Sequence, residues 1–202
     1  MVRALASIAI TAALAAVVGA SPPPEWLHYD NGTAYQPIYR QNKDDGWAVK
    51  FEPDEPGYIQ RIRLYVGNPP GHTSWDGFQL EIWDWYDSSI PEAPGKRVWG
   101  PQAFTYNLTN PHGWVTYTNV DYEWESTKPF LILAKQRDGY PNCDSIYCDS
   151  ARTTPNPNWS YFIYKWYPFE VLNGDFLLRV YYGPSHPAVA PTSLGRIRAL
   201  YR

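Results

Sequence analysis

The side chains with most capacity for recognition are aromatic rings on the polar side of alternating stretches. In Phe78-Gln-Leu-Glu-Ile-Trp-Asp-Trp85, Phe78, Leu80 and Ile82 recur at every second position. That period suits the buried face of a strand, and it places Trp83 and Trp85 on the opposite face with Gln79 and Glu81. Tyr65 stands beside Arg61 and Arg63 in the same way, and Tyr181 beside Arg179. Flat rings set among polar groups suit sugar rings or apolar partner surfaces. Trp75, Tyr140, Tyr147, Trp166 and Tyr167 add aromatics in loop-like stretches, where binding residues concentrate. Trp83, Trp85, Tyr65 and Trp166 are the leading ligand contacts. The plainer account is that rings favour strands and cover sheet faces, so their exposure decides between the two.

Hydrolytic chemistry has weaker support. A glycosidase would need two carboxylates across a groove, and the candidate acids are Glu81, Asp84, Glu123 and Glu125. No spacing brings a pair of them together, and solvated strand faces account for all four. Neither a Gly-x-Ser-x-Gly elbow nor a His-Glu-x-x-His motif occurs. His72, His112 and His186 adjoin Gly or Pro in turn-like or linker stretches, and His28 falls in the first strand. The chain therefore reads as non-enzymatic, without a catalytic cofactor. A structural calcium ion would draw on Asp138, Asn142, Asp144 and Asp149, or on Asp44 and Asp45, since hard cations take oxygen ligands. None of these follows a spaced loop pattern, and turn formation explains them more simply.

Residues 1–20 differ from the rest. Arg3 precedes an uncharged, Ala-rich apolar run from Ala4 to Val18, and Val18-Gly19-Ala20 offers small residues for cleavage. This is the layout of a secretory signal peptide, and the run is shorter than the roughly 20 residues of a membrane-spanning helix. The expectation is export, to the medium or the cell surface, with no membrane span after signal removal. In an oxidising compartment the two cysteines, Cys143 and Cys148, are expected to form a disulfide that closes a short loop.

The elements that must position these residues are strands. The 202 residues include ten Trp, seventeen Tyr, seven Phe and 20 Pro, and only 18% are charged. Disordered and coiled-coil chains look different, and a net charge of −3 offers no basic footprint for nucleic acid. Period-two alternation runs through 47–51, 61–66, 78–83, 130–134 and 176–182, with less regular strands at 26–30, 97–105, 113–120 and 159–164. Turn residues at Asp30-Asn-Gly32, Asp44-Asp-Gly46, Asn68-Pro-Pro-Gly71 and Asn173-Gly174 separate them. Trp47, Phe51, Phe78, Phe130, Phe176 and Tyr182 belong to the inward set. About eight to nine short strands with such turns predict an all-β, antiparallel sandwich or barrel. The expected organisation is a signal peptide at 1–20, a β domain at 21–183, and a linker with a short basic amphipathic tail at 184–202.

Taken in order, these segments resemble the jelly-roll β-sandwich accessory modules of secreted and surface bacterial proteins, which are often appended to peptidases. The resemblance rests on Tyr29-Asp-Asn-Gly-Thr-Ala34, Gly46-Trp-Ala-Val-Lys-Phe51, Ile59-Gln-Arg-Ile-Arg-Leu-Tyr65 and Phe78-Gln-Leu-Glu-Ile-Trp-Asp84. It continues through Pro94-Gly95 into Val98-Trp99, then Gly113-Trp-Val115, Trp159-Ser-Tyr-Phe162 and Gly174-Asp-Phe-Leu-Leu-Arg-Val180. It implies a jelly-roll sandwich and a non-catalytic role, and it carries no functional residues. The expected partner is an extracellular polysaccharide or another cell-surface component. The alternatives are a jelly-roll glycoside hydrolase or lyase, and a surface assembly subunit connected through residues 192–202.

Overall fold

The structure, a computed structural model, describes residues 25–86, 93–153, 157–169 and 174–183. The expected signal peptide and the tail at 184–202 lie outside these residues. Thirteen strands form among them: β1 (Glu25–Leu27), β2 (Gln36–Ile38), β3 (Gly46–Phe51), β4 (Gly57–Gly67), β5 (Phe78–Tyr86), β6 (Ala93–Phe104) and β7 (His112–Tyr117). They continue as β8 (Tyr122–Trp124), β9 (Phe130–Gln136), β10 (Ser145–Cys148), β11 (Asn158–Phe162), β12 (Lys165–Pro168) and β13 (Leu178–Gly183). The sequence predicts eight or nine. The additional pieces are β2, β8, β10 and β12, each of three or four residues, too short to display a period. No helix among the described residues is long and apolar enough to cross a membrane.

The strands make two antiparallel sheets. One runs β12-β11-β3-β9-β5-β6; the other runs β1-β13-β4-β10-β2, with β7 and β8 also on β4. The eleven-residue β4 is the hub of the second sheet. Ile62 pairs with Val180 of β13 and with Tyr117 of β7, so these strands lie on its two edges. Ile59 and Ile62 are both wholly buried, although an odd spacing sends side chains to opposite faces of a regular strand. The conflict is resolved by a bulge: Arg61 pairs with Tyr181 and Ile59 with Tyr182, which leaves Gln60 as the extra residue.

The inward residues of both sheets form one core. Trp47, Phe51, Phe78, Phe130, Phe176 and Tyr182 all belong to it, as the alternation predicts. The run Phe130-Leu-Ile-Leu-Ala134 is buried at every position. Phe130, Ile132 and Ala134 face the shared core, whereas Leu131 and Leu133 join a second cluster with Ala48, Trp85 and Trp159. A continuous apolar run of this kind marks a strand covered on both faces.

The expected Cys143–Cys148 disulfide is absent, and both residues are free, buried thiols. The segment read as a loop is strand β10. Cys148 ends that strand, and Cys143 lies in the bend two residues before it starts. Cys148 turns into the core beside Ile146, while Cys143 stays outside that cluster in the preceding turn. Burial, with Asp144 adding to it, pushes the Cys143 thiol up to about 12. Burial and then Asp149 push Cys148 up to about 11. The folded protein should therefore react slowly with a thiol-modifying disulfide reagent and yield two thiols on denaturation. Unfolded thiols ionise near 9. Their contribution to stability is thus complete below that pH and is lost as pH rises from about 9 through 11 and 12. Thermal melts across that range check the sign, and a Tm that rose there would contradict it.

Candidate functional site

The outer face of the six-stranded sheet is built in rows by strand register. Glu81 of β5 stands opposite Leu133 of β9, Leu133 opposite Ala48 of β3, and Ala48 opposite Trp159 of β11. The next row runs Gln79, Lys135, Gly46, Tyr161 and Trp166. Strands β5 and β11 are three positions apart, about 14 Å at ordinary strand spacing. Their rings nonetheless meet. Trp83 of β5 lies 6.1 Å from Tyr161 and 5.3 Å from Trp166, and those two are 5.0 Å apart, measured between ring centroids. The rings can lean together because strand β3, next to β11, presents only Gly46 and Ala48 opposite Tyr161 and Trp159. A Cβ on Gly46 would come 2.5 Å from the Ala134 carbonyl oxygen, so the backbone at that point accommodates no side chain. Edge-to-face contacts of this geometry are favourable beyond their burial.

Glu81 sits beneath this cluster. Sequence alone suggests a solvated acid, but only 1% of the residue is exposed. Its Oε2 accepts a hydrogen bond from Trp83 Nε1 at 2.8 Å, while its Oε1 takes Arg97 at 3.2 Å and Lys135 Nζ at 3.4 Å. A buried carboxylate requires such partners. Here they also fix the plane of the Trp83 indole. The Lys135 ammonium lies 5.7 Å from the Tyr161 ring centroid. Burial, and then the Glu81 charge, raise the Tyr161 phenol above its usual range, so its hydroxyl keeps its proton.

The tip of the β11–β12 hairpin borders this face. Ile163 and Tyr164 both have positive φ, 48° and 60°, as the two-residue turn of a type I′ hairpin demands. Asn and Gly normally fill these positions, and a β-branched residue there is strained. The Ile163 amide donates to Asp45 Oδ1 at 3.0 Å, which helps to hold the turn. Ile163 and Tyr164, with Asn42, Lys43, Asp44 and Asp45, line an open cleft of about 300 Å³. Tyr164 is 76% exposed and Tyr167 46%.

The residues singled out by sequence are divided by the fold. Trp83 and Trp166 are half-buried and belong to the ring cluster. Trp85 is on the same face but only 5% exposed, packed edge-on against Trp159 at 5.1 Å with the Lys50 ammonium 4.8 Å from its centroid. Tyr65 lies on the other sheet, among Trp114, Tyr147 and His112, with its hydroxyl 2.8 Å from His112 Nδ1. Of the acids, Asp84 accepts the Lys96 amide, and Glu123 and Glu125 are exposed on β8 and just beyond it. Three of the six oxygen groups considered for calcium are engaged by nearby amides. Asp45 accepts from Ile163 and Asn42, Asp138 from Gly139, and Asp149 from three backbone amides. Tyr161, Arg97 and Lys135 were not singled out by sequence. Alternation places Tyr161 with Trp159, but nothing in the chain shows that β11 lies beside β3.

Among characterised proteins, the chain is similar to Bacillopeptidase F of Bacillus subtilis (strain 168). The two are 26% identical over 166 residues, which cover 77% of this chain and 11% of that protein. The chain therefore spans about a tenth of the length of that relative. No protein-family model matches the chain, and no solved structure matches it. The protein is an all-β chain of two antiparallel sheets with distant similarity to one segment of a bacterial protein named as a peptidase.

Proposed function

We propose that this chain is an exported, non-catalytic accessory module of jelly-roll type that binds an extracellular polysaccharide on the outer face of its six-stranded sheet. The observation that carries this reading is the cluster of Trp83, Tyr161 and Trp166, locked from below by Glu81. The rings offer apolar faces to a sugar, and Arg97, Lys135 and the Tyr161 hydroxyl stand beside them for its polar groups. An indole held by a buried carboxylate loses little freedom on binding, which favours affinity. Tyr164 adds a largely exposed ring at the hairpin tip. The similarity to a small part of a much longer peptidase-named protein suits an appended module. Both oxygens of Glu81 are committed to donors, an arrangement for positioning rather than for nucleophilic attack.

The test is retention of the exported protein on a panel of immobilised glycans. Trp83→Ala and Trp166→Ala should each weaken retention about 10- to 100-fold, equivalent to about 1.4–2.8 kcal/mol, with Tm close to that of the parent protein for Trp166→Ala and lower for Trp83→Ala, which takes the donor from Glu81 Oε2. Trp85→Ala should instead lower Tm, because its ring is packed rather than presented. Unchanged retention by both folded variants would remove the reading. So would release of reducing ends that is abolished by Glu81→Gln, since that outcome makes the protein an enzyme.

A further inference from the structure

A second site lies where the β4–β5 connection folds over the approach to β10. His72 Nε2 is 2.8 Å from Asp76 Oδ2 and 3.9 Å from Asp144 Oδ1, and the three ligand atoms fall within 4.8 Å of one another. Asp144 is held firmly. Its Oδ2 accepts hydrogen bonds from the Gly77 amide and the Tyr106 hydroxyl, each at 2.7 Å. Gly77 has φ +74°, and a Cβ there would stand 2.0 Å from the Phe104 carbonyl oxygen, so only glycine presents this amide. Burial, with Asp144 alongside, drives the Tyr106 phenol far above its usual range, which keeps it a donor.

The other Asp144 oxygen is the telling one. The side chain is wholly buried, yet Oδ1 has no hydrogen bond, whereas Asp76 Oδ2 has the His72 imidazole beside it at 2.8 Å. The neighbouring guanidinium of Arg137 donates to the Asp76 backbone carbonyl at 2.9 Å. A buried carboxylate oxygen left as Asp144 Oδ1 is left is costly unless a cation engages it.

We propose that His72, Asp76 and Asp144 bind one divalent transition-metal ion of the zinc class. One imidazole nitrogen with two carboxylate oxygens is a zinc-type donor set, whereas calcium takes six to eight oxygens. Zinc bonds of about 2.0–2.1 Å set tetrahedral ligands about 3.3 Å apart, and the separations of 2.8 and 3.9 Å bracket that value. Asp76 is partly open to solvent, which leaves room for water as a fourth ligand. The ion would clasp the 68–77 connection to the strand leading from Asp144.

Calorimetric titration of the chelator-treated full chain with zinc sulfate tests this. One equivalent should bind in the micromolar range, and at a hundredfold excess over Kd the Tm should rise by about 5–10 °C. His72→Ala and Asp76→Asn should each weaken zinc binding at least tenfold. Both changes lie in a surface connection, and should the first variant fail to fold, the second carries the test. Calcium chloride at the same concentration should bind no more than a tenth as tightly. The proposal is overturned if the parent protein binds no zinc below about 1 mM, if calcium binds as tightly, or if the folded variants bind zinc like the parent.

Discussion

Asp149→Ala should cost about 3–5 kcal/mol, a large part of the roughly 5–15 kcal/mol that stabilises a domain. Its buried carboxylate accepts three backbone amides: Asn31 at 2.7 Å on Oδ2, and Ala151 at 3.0 Å with Asp175 at 2.9 Å on Oδ1. Asp175 in turn accepts the Thr153 amide and Asn158 Nδ2, each at 2.8 Å, and Asn158 Oδ1 accepts the Phe176 amide at 3.1 Å. The network joins the turn after Asp30, the exit of β10, strand β11 and the approach to β13, and so bridges the two sheets. Hydrogen bonds to a charged acceptor contribute about 1.5–3 kcal/mol each. The Asp175 amide keeps a second acceptor in the Ala151 carbonyl, which places the loss below the full sum. In thermal unfolding the variant should melt about 6–20 °C lower. A Tm within 3 °C of the parent protein would show that the carboxylate is dispensable, on a scale of about 2–4 °C per kcal/mol.

Arg179→Met is the second large effect. The Arg179 guanidinium grips Asp30 through two nitrogens, with Nε 3.0 Å from Oδ2. The Asp30 side chain is wholly buried and that of Arg179 is 18% exposed. Without the arginine, the carboxylate keeps the Gly32 amide at 2.9 Å as its remaining donor. Breaking a buried pair costs about 3–5 kcal/mol, and partial solvent access to Arg179 places the expected loss near the lower figure. The double variant Asp30→Asn with Arg179→Met should be more stable than Arg179→Met alone, since it removes the unpaired charge. Denaturant melts of the two single variants and the double measure this coupling. Strict additivity would show that the two groups do not interact.

Both predictions bear on what the sequence shows. The phrases Tyr29-Asp-Asn-Gly-Thr-Ala34 and Gly174-Asp-Phe-Leu-Leu-Arg-Val180 are recognisable as ordered segments. Their purpose is visible only in three dimensions, where Asp30 meets Arg179 and Asp149 links Asn31 to Asp175. Cys143 and Cys148 teach the converse. Their spacing and the expected compartment suggest a bond, but both are free thiols, with Cys148 turned into the core from β10 and Cys143 outside that cluster.

By itself the sequence determined an all-β antiparallel class and the inward ring set of Trp47, Phe51, Phe78, Phe130, Phe176 and Tyr182. A period of two is a local property that each strand carries whatever its neighbours are. Only the tertiary structure decided which strands stand side by side. That order brings Trp83 across three strand spacings to Tyr161 and across four to Trp166, buries Glu81 and Trp85 on a face that alternation marks as outward, and aims His72, Asp76 and Asp144 at one point. Cross-strand register and loop docking are long-range contacts, set by how whole faces pack, and no local period encodes them.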